Sequence, residues 1–251
     1  MSAKDIRNIV LLGHGGSGKT TLAESMPVSY THLLIMVCLM LLRRQMEYTE
    51  IIRAGGWETL PGGIRSLHGA RITVLGTGDI GTEFARRAQA FHPACITGVR
   101  RTVRSSDPAF TSIHAIAELD SVLPETDLLV MALPSTAETV GILSRERIAL
   151  LPDSAFVVNV GRGTAIDQEA LCDALNAGQL AGAALDVVVP EPLPADHPLR
   201  RAKNLLLTPH VAGNMTLGYT CDKSVQMFCD DLENYAAGRP LAHLVDRKRG
   251  Y

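Results

Sequence analysis

An excess of charge of either sign is missing from this sequence: 24 Lys and Arg stand against 26 Asp and Glu, a net charge of -2. With no global basic field to hold nucleic acid or an anionic membrane, neither is expected as a partner. A small molecule or a second copy of the chain is expected instead. Paired cysteines are missing too. Cys38, Cys95, Cys172, Cys221 and Cys229 are scattered, odd in number and never spaced as CxxC. That pattern fits a reducing compartment better than a disulfide framework or a zinc site, and no metal is expected. The first residues, MSAKDIR, are charged and lack the apolar core and cleavage site of a secretory leader, so a cytoplasmic location is expected. Nor is there a long apolar run. The greasiest, residues 33–42 (LLIMVCLMLL), closes on Arg43 and Arg44 and is too short to cross a bilayer. Its unbroken hydrophobicity predicts a buried helix covered on most sides.

What is present falls into three blocks. A length of 251 residues allows one large α/β domain or two smaller ones. Residues 6–26 read as strand (IRNIVLL), glycine loop (GHGGSGKT) and helix (TLAESM). A short bridge, residues 27–31, leads to a helix predicted over 32–53, then to a Gly- and Pro-rich connector over 55–63. From residue 67 onward, apolar strand-like runs (ARITVLG, ACITGV, DLLVMALP, FVVNV, GAALDVV, NLLLTP) alternate with helical patterns (IGTEFARRAQAF, DQEALCDALNAG). Such alternation predicts right-handed crossovers and a parallel sheet, an α/β fold of the doubly wound Rossmann type. A final amphipathic helix is predicted over 216–237, ended by Gly238 and Pro240.

The strand RITVL runs straight into Gly76-Thr77-Gly78-Asp79-Ile80-Gly81 and then into a helical pattern. In that context GxGxxG has a physical reading. Gly76 permits the tight turn, Gly78 lets a pyrophosphate approach the backbone, and Gly81 allows close helix-to-strand packing, with the phosphate at the helix N-terminus. The bare pattern also occurs in glycine turns that bind nothing. The next strand ends near Val99, where an NAD site offers an acidic residue to the ribose. Here Arg100 and Arg101 follow, with Arg104 nearby. Guanidinium groups suit a 2′-phosphate and so favour NADP over NAD, although a solvated basic loop would look the same.

Three later strands each end on a chemically useful residue. FVVNV, closing on Val160, is followed by Gly161-Arg162-Gly163. The strand ending at Asp186 leads to Glu191, set between Pro190 and Pro192 and so kept out of a helix. LLLTP leads to His210. Taken singly, these are also ordinary loop charges and a loop histidine. Taken in order, NVGRG with Asp167 following, DVVVPEPLP and TPHVAG, together with GTGDIG, resemble the successive signatures of the D-isomer-specific 2-hydroxyacid dehydrogenases over residues 66–213. The resemblance implies that Arg162 grips the carboxylate of a 2-keto or 2-hydroxy acid, that His210 is the acid/base and that Glu191 orients it. It also implies nicotinamide-side contacts from Leu133, Pro134, Val160 and Asp186, with an N-cap or loop role equally open for Asp186, and a homodimer built on the cofactor domain. Those residue types suit the chemistry. Reduction of a keto acid needs a proton donor titrating near neutrality, a carboxylate to stabilise its charged form and a fork-shaped cation for the substrate carboxylate.

The amino end carries a second signature. Residues 13–20 (GHGGSGKT) fit GxxxxGK[ST], in which Lys19 and Thr20 would meet phosphate and magnesium. Residues 4–26 resemble the amino end of translational elongation factor G, yet no DxxG or NKxD follows. PVSYTHL between the two resemblances is similar to translated library-adaptor sequence. The expectation is a fused reading frame: a foreign fragment and junction (1–31), a helix and connector left from an incomplete substrate domain (32–65), the dinucleotide-binding domain (66–213) and a C-terminal helix and tail (214–251). Cofactor binding should then survive better than turnover. A cofactor-binding module without catalysis and a P-loop GTPase are the competing readings.

Overall fold

A computed structural model describes residues 27–103, 106–213 and 218–242. The P-loop segment with Lys19 and Thr20, and also Arg104, lie outside the described residues. Seven strands, β1 (Arg71–Leu75), β2 (Cys95–Arg100), β3 (Ser112–Ala115), β4 (Leu128–Met131), β5 (Phe156–Asn159), β6 (Gly182–Leu185) and β7 (Leu205–Leu207), form one sheet in the order β3-β2-β1-β4-β5-β6-β7. Every pairing is parallel. The order reverses direction between β1 and β4, which opens a crevice beyond their carboxyl ends, where doubly wound sheets bind ligands.

Strands β4 to β7 are apolar at nearly every position because both faces of the sheet are covered there. Ile72, Val74, Leu128, Val130, Phe156 and Val158 point to one core, and the residues between them, Leu129, Met131 and Val157, point to the other. The first core is closed by α1 (Pro27–Leu42) and α3 (Asp79–Ala88), and the second largely by α4 (Gln168–Ala177). Two further helices of eight residues or more are α2 (Gln45–Arg53) and α5 (Gly218–Ala236), and single helical turns lie at Leu119–Val122 and Arg145–Ile148. None of the described helices is long and apolar enough to cross a membrane.

Two expectations require correction and one holds. The helix predicted over 32–53 starts earlier, with Pro27 at its first position, and it is two helices. Arg44 adopts a left-handed conformation (φ 54) between them, held by a forked pair to Glu47 and a hydrogen bond to the Pro61 carbonyl. The run 33–42 is covered on most sides, with Leu33, Ile35, Leu39 and Met40 also packed partly on the core. Leu34, Val37, Cys38, Leu41 and Leu42, at helical spacing, are buried on the sheet, while Met36 on the outer face is 45% exposed. Last, β3 has no counterpart among the strands expected from the sequence: Ser-Ile-His-Ala is a short, half-buried edge strand without an apolar run.

Candidate active site

The crevice at β1 is built as the glycine pattern requires. Gly76 takes a positive φ of 103 and lies so close to β4 that a Cβ there would stand 2.7 Å from the Ala132 oxygen. A Cβ on Gly81 would overlap the Gly76 carbonyl. Gly78 differs, because a Cβ there would meet nothing within 4 Å. The chain itself therefore does not need glycine at 78, and a ligand backbone passing over it would. Gly78 is also the N-cap of α3 and offers no side-chain cap to the first-turn amides, so those donors face the crevice with the positive end of the helix dipole. Between the glycines, the buried Thr77 hydroxyl has no hydrogen-bond partner among the described residues. Open space over a glycine, an uncapped helix start and an orphaned hydroxyl together fit a bound pyrophosphate. Asp79 and Ile80 form the first turn of α3, Asp79 exposed and Ile80 packed partly on the α1-side core.

Arg100 ends β2 directly beside this turn, since the Gly76 amide donates to the Val99 carbonyl at 2.9 Å. Arg101 is exposed and lies 3.7 Å from Glu138. On the other side of the crevice Leu133 is buried and followed by half-buried Pro134. Their loop interlocks with the one after β5, because a Cβ on Gly161 would come within 2.6 Å of the Leu133 oxygen. The Val160 side chain lies in the α1-side core at 2% exposure, which leaves only main-chain atoms for a cofactor contact.

Arg162 follows β5 and is held from both sides. Asn159, fully buried at the strand end, accepts from the Gly161 amide and donates to the Arg162 carbonyl, both at 2.9 Å. A Cβ on Gly163 would overlap the Val188 backbone, so the loop after β6 is packed directly on the arginine loop. The guanidinium donates to the Gly161 carbonyl at 2.6 Å. Asn159→Ala strips partners from two main-chain groups, and a cost of about 1–3 kcal/mol in stability is expected. Urea unfolding measures it, and an unchanged midpoint would refute the clamp.

Glu191 and His210 meet, with Nδ1 of the imidazole 2.7 Å from Oε2 of the carboxylate. The other carboxylate oxygen accepts from the Val188 amide at 2.9 Å. Burial acts to raise the Glu191 carboxyl. The hydrogen bonds from His210 and Val188, with the charges of His210 and Arg162, outweigh it and hold the group below the ordinary carboxylate range. His210 sits in a left-handed conformation, φ 55, which is costly for a residue with a Cβ and persists only where surroundings impose it. Asp186 supplies those surroundings. Its carbonyl accepts from the His210 amide at 2.9 Å, and its carboxylate accepts from the Thr208 hydroxyl and the Val211 and Ala212 amides. Of the two roles open for Asp186 in the sequence, loop organisation is the one these contacts display.

The geometry thus brings Arg162, Glu191 and His210 to the carboxyl ends of adjacent strands, next to the crevice. It also reveals neighbours that sequence patterns did not single out. Gln168, first in α4, bonds both polar groups of the Val189 peptide. Ser29, in the first turn of α1, donates to the Ala212 carbonyl at 2.6 Å. The Tyr30 ring packs on Gly213; burial raises its phenol despite the opposing charge of Arg162, and Asp186 adds to the rise. Only Asn159 had a signal in sequence, as a lone amide closing an apolar strand.

Comparison with known proteins agrees with this geometry. Residues 35–212 match the family described as D-isomer specific 2-hydroxyacid dehydrogenase, NAD binding domain. Glyoxylate/hydroxypyruvate reductase B of Pectobacterium carotovorum subsp. carotovorum (strain PC1) is 38% identical over 176 residues, which cover 67% of this chain and 53% of that protein. The chain spans about half the length of the curated relatives it matches. A D-isomer specific 2-hydroxyacid dehydrogenase from Xanthobacter autotrophicus Py2, solved in complex with NADPH and MES, superposes with a TM-score of 0.80 at 31% identity, covering 90% of each chain. An NADPH-dependent glyoxylate/hydroxypyruvate reductase from Sinorhizobium meliloti, in complex with NADP and sulfate, gives 0.80 at 27% identity over 90% of this chain and 71% of that one. By its fold, its crevice and a family match over most of its length, this chain belongs to the D-isomer specific 2-hydroxyacid dehydrogenases and carries their NAD binding domain.

Proposed function

We propose that this chain is an NADP-preferring oxidoreductase that interconverts a small 2-keto acid, of the glyoxylate or hydroxypyruvate class, and its 2-hydroxy acid. The observation that carries the reading is the 2.7 Å contact between His210 and Glu191, beside Arg162 and at the mouth of the crevice. When bound, the nicotinamide supplies the hydride to the carbonyl carbon. Arg162 would hold the substrate carboxylate through two parallel hydrogen bonds and so orient that carbon. The His210 Nε2 would give a proton to the carbonyl oxygen as it becomes a hydroxyl, while Glu191, accepting from Nδ1, stabilises the imidazolium and fixes the ring. Oxidation of the hydroxy acid uses the same groups in reverse. Following NADPH absorbance with glyoxylate, hydroxypyruvate and bulkier keto acids tests the reading. Cofactor binding without turnover would leave a binding module, the second reading.

Arg100 and Arg101 support the preference for NADP, as do the NADPH and NADP complexes of the Xanthobacter and Sinorhizobium relatives. Arg101 and Glu138 form an exposed pair worth about 0–1 kcal/mol. A charge-assisted hydrogen bond contributes about 1.5–3 kcal/mol, so a 2′-phosphate would displace Glu138. The double variant Arg100→Ala, Arg101→Ala is therefore expected to lose on the order of tenfold or more in KM for NADPH with little change for NADH. A wild-type chain that prefers NADH would overturn the assignment.

Two coarser matters belong to the same reading. Scattered cysteines without CxxC spacing support a cytoplasmic location, and family analogy supports a homodimer, measurable by light scattering. Residues 1–31 are read as a separate fragment and its junction, joined to a dehydrogenase chain whose substrate domain is incomplete, because the P-loop pattern at 13–20 lies outside the family match. Amplification across codons 20–40 from source DNA tests the fusion, and an intact product would refute it. GTP affinity abolished by Lys19→Ala would instead favour the GTPase reading.

A further inference from the structure

We propose that Gln168 is a positioning residue for the acid–base pair, its carboxamide clamping the Val189 peptide so that Glu191 stands against His210. The clamp is complete. Gln168 Nε2 donates to the Val189 carbonyl at 2.6 Å, and Gln168 Oε1 accepts from the Val189 amide at 2.9 Å. One side chain thereby does for a single peptide what a neighbouring strand does in a sheet.

Val188 and Leu193 pack partly on the α4-side core, and Arg200 donates to the Leu193 and Pro194 carbonyls, so the segment is anchored at both ends and Gln168 holds the stretch between. Pro190 and Pro192 carry no amide hydrogen, and the Val189 side chain is 43% exposed. Of the amides that remain, Val188 donates to Glu191 itself, which closes the turn. The Val188 backbone rests on Gly163, a contact without directional bonds. Gln168, by contrast, stands on a fixed base. Asp167 caps α4 by accepting from the Ala170 amide at 2.9 Å, and Ala170 and Leu171 are buried in the core. The line of contacts runs from a packed helix, through two hydrogen bonds, to the turn whose third residue onward is Glu191. Without the clamp the turn is free to shift, and the carboxylate loses its fixed distance from the imidazole.

The inference rests on the reading of Glu191 and His210 as the acid–base pair, and the test separates the two. Gln168→Met keeps the length and removes both hydrogen bonds, and Gln168→Ala removes the side chain at a helix start that accepts alanine well. Both are expected to lower kcat by about tenfold to a hundredfold with the NADPH KM unchanged. The carboxyl of Glu191, followed by carbon-13 NMR in the full chain without substrate or cofactor, gives a readout that does not depend on turnover. Its folded-state titration is depressed, so the pair persists at higher pH and is lost as pH falls through that titration. In both variants the titration is expected to move up towards the ordinary range, carrying the acidic limb of the rate profile with it. An unmoved Glu191 titration in Gln168→Met would overturn the clamp, whatever the rate. A moved titration in a chain that shows no keto-acid turnover even as wild type would uphold the clamp and sink the functional reading instead.

Discussion

Replacing His210 by alanine is expected to lower kcat for the proposed keto-acid reduction by about 10²–10⁴-fold and to leave NADPH affinity unchanged. The size follows from what is removed. Hydride delivery creates an alkoxide, and an alkoxide without a positioned proton donor must wait for water. On the proposed reading His210 is the donor, its Nδ1 held by Glu191 and its Nε2 giving up the proton. Affinity for NADPH should not move, since the glycine turn and Arg100 lie at other strand ends of the crevice. Steady-state rates with calorimetric NADPH binding provide the check. A His210→Ala chain that turns over at the wild-type rate would remove the residue from the chemistry.

Arg162→Lys should be nearly as damaging as Arg162→Leu, at about 10²–10³-fold in kcat/KM, although charge is conserved. Bidentate recognition requires a planar fork at a fixed angle, and the loop around Arg162 supplies that angle. Asn159 fixes the loop's backbone and the Gly161 carbonyl engages one guanidinium nitrogen; on the proposed reading the remaining donors would meet the carboxylate. An ammonium on a flexible stem can satisfy the carbonyl or one carboxylate oxygen, with no control over the plane of the substrate. The loss should fall on both KM and kcat, because orientation is lost together with affinity. Wild-type kcat/KM in the lysine variant would mean that Arg162 acts as charge alone.

Much of this site is legible in the amino-acid sequence because each signature is a local constraint. A glycine at 76 is demanded by backbone angle, and a glycine at 81 by a carbonyl that leaves no room for a Cβ. Arg162, Glu191 and His210 follow apolar strands, and a parallel sheet sends all such strand ends to one edge. The residues without a sequence signal act across long separations. Gln168 and Val189 are 21 positions apart, and Ser29 and Ala212 are 183 apart. Each bonds side chain to backbone, so neither partner needs a recognisable type. The break at Arg44 is silent for a related reason: an arginine in a left-handed turn has no local propensity to announce it, only partners at Glu47 and Pro61. The edge strand β3 is equally silent because its four residues are half-buried and need no apolar run.

Asp186 gives the loop bearing His210 an unusual standing in the folding of the molecule. Three donors converge on a carboxylate that is 3% exposed, and two of them are amides of the loop itself. A surface loop ordinarily frays at almost no cost, independently of the sheet beneath it. This one cannot open without removing two amide donors from a buried carboxylate at the end of β6, which ties its release to the sheet's own edge. By shape the segment is a loop, but by the energy needed to release it the segment belongs to the cooperative unit of the sheet.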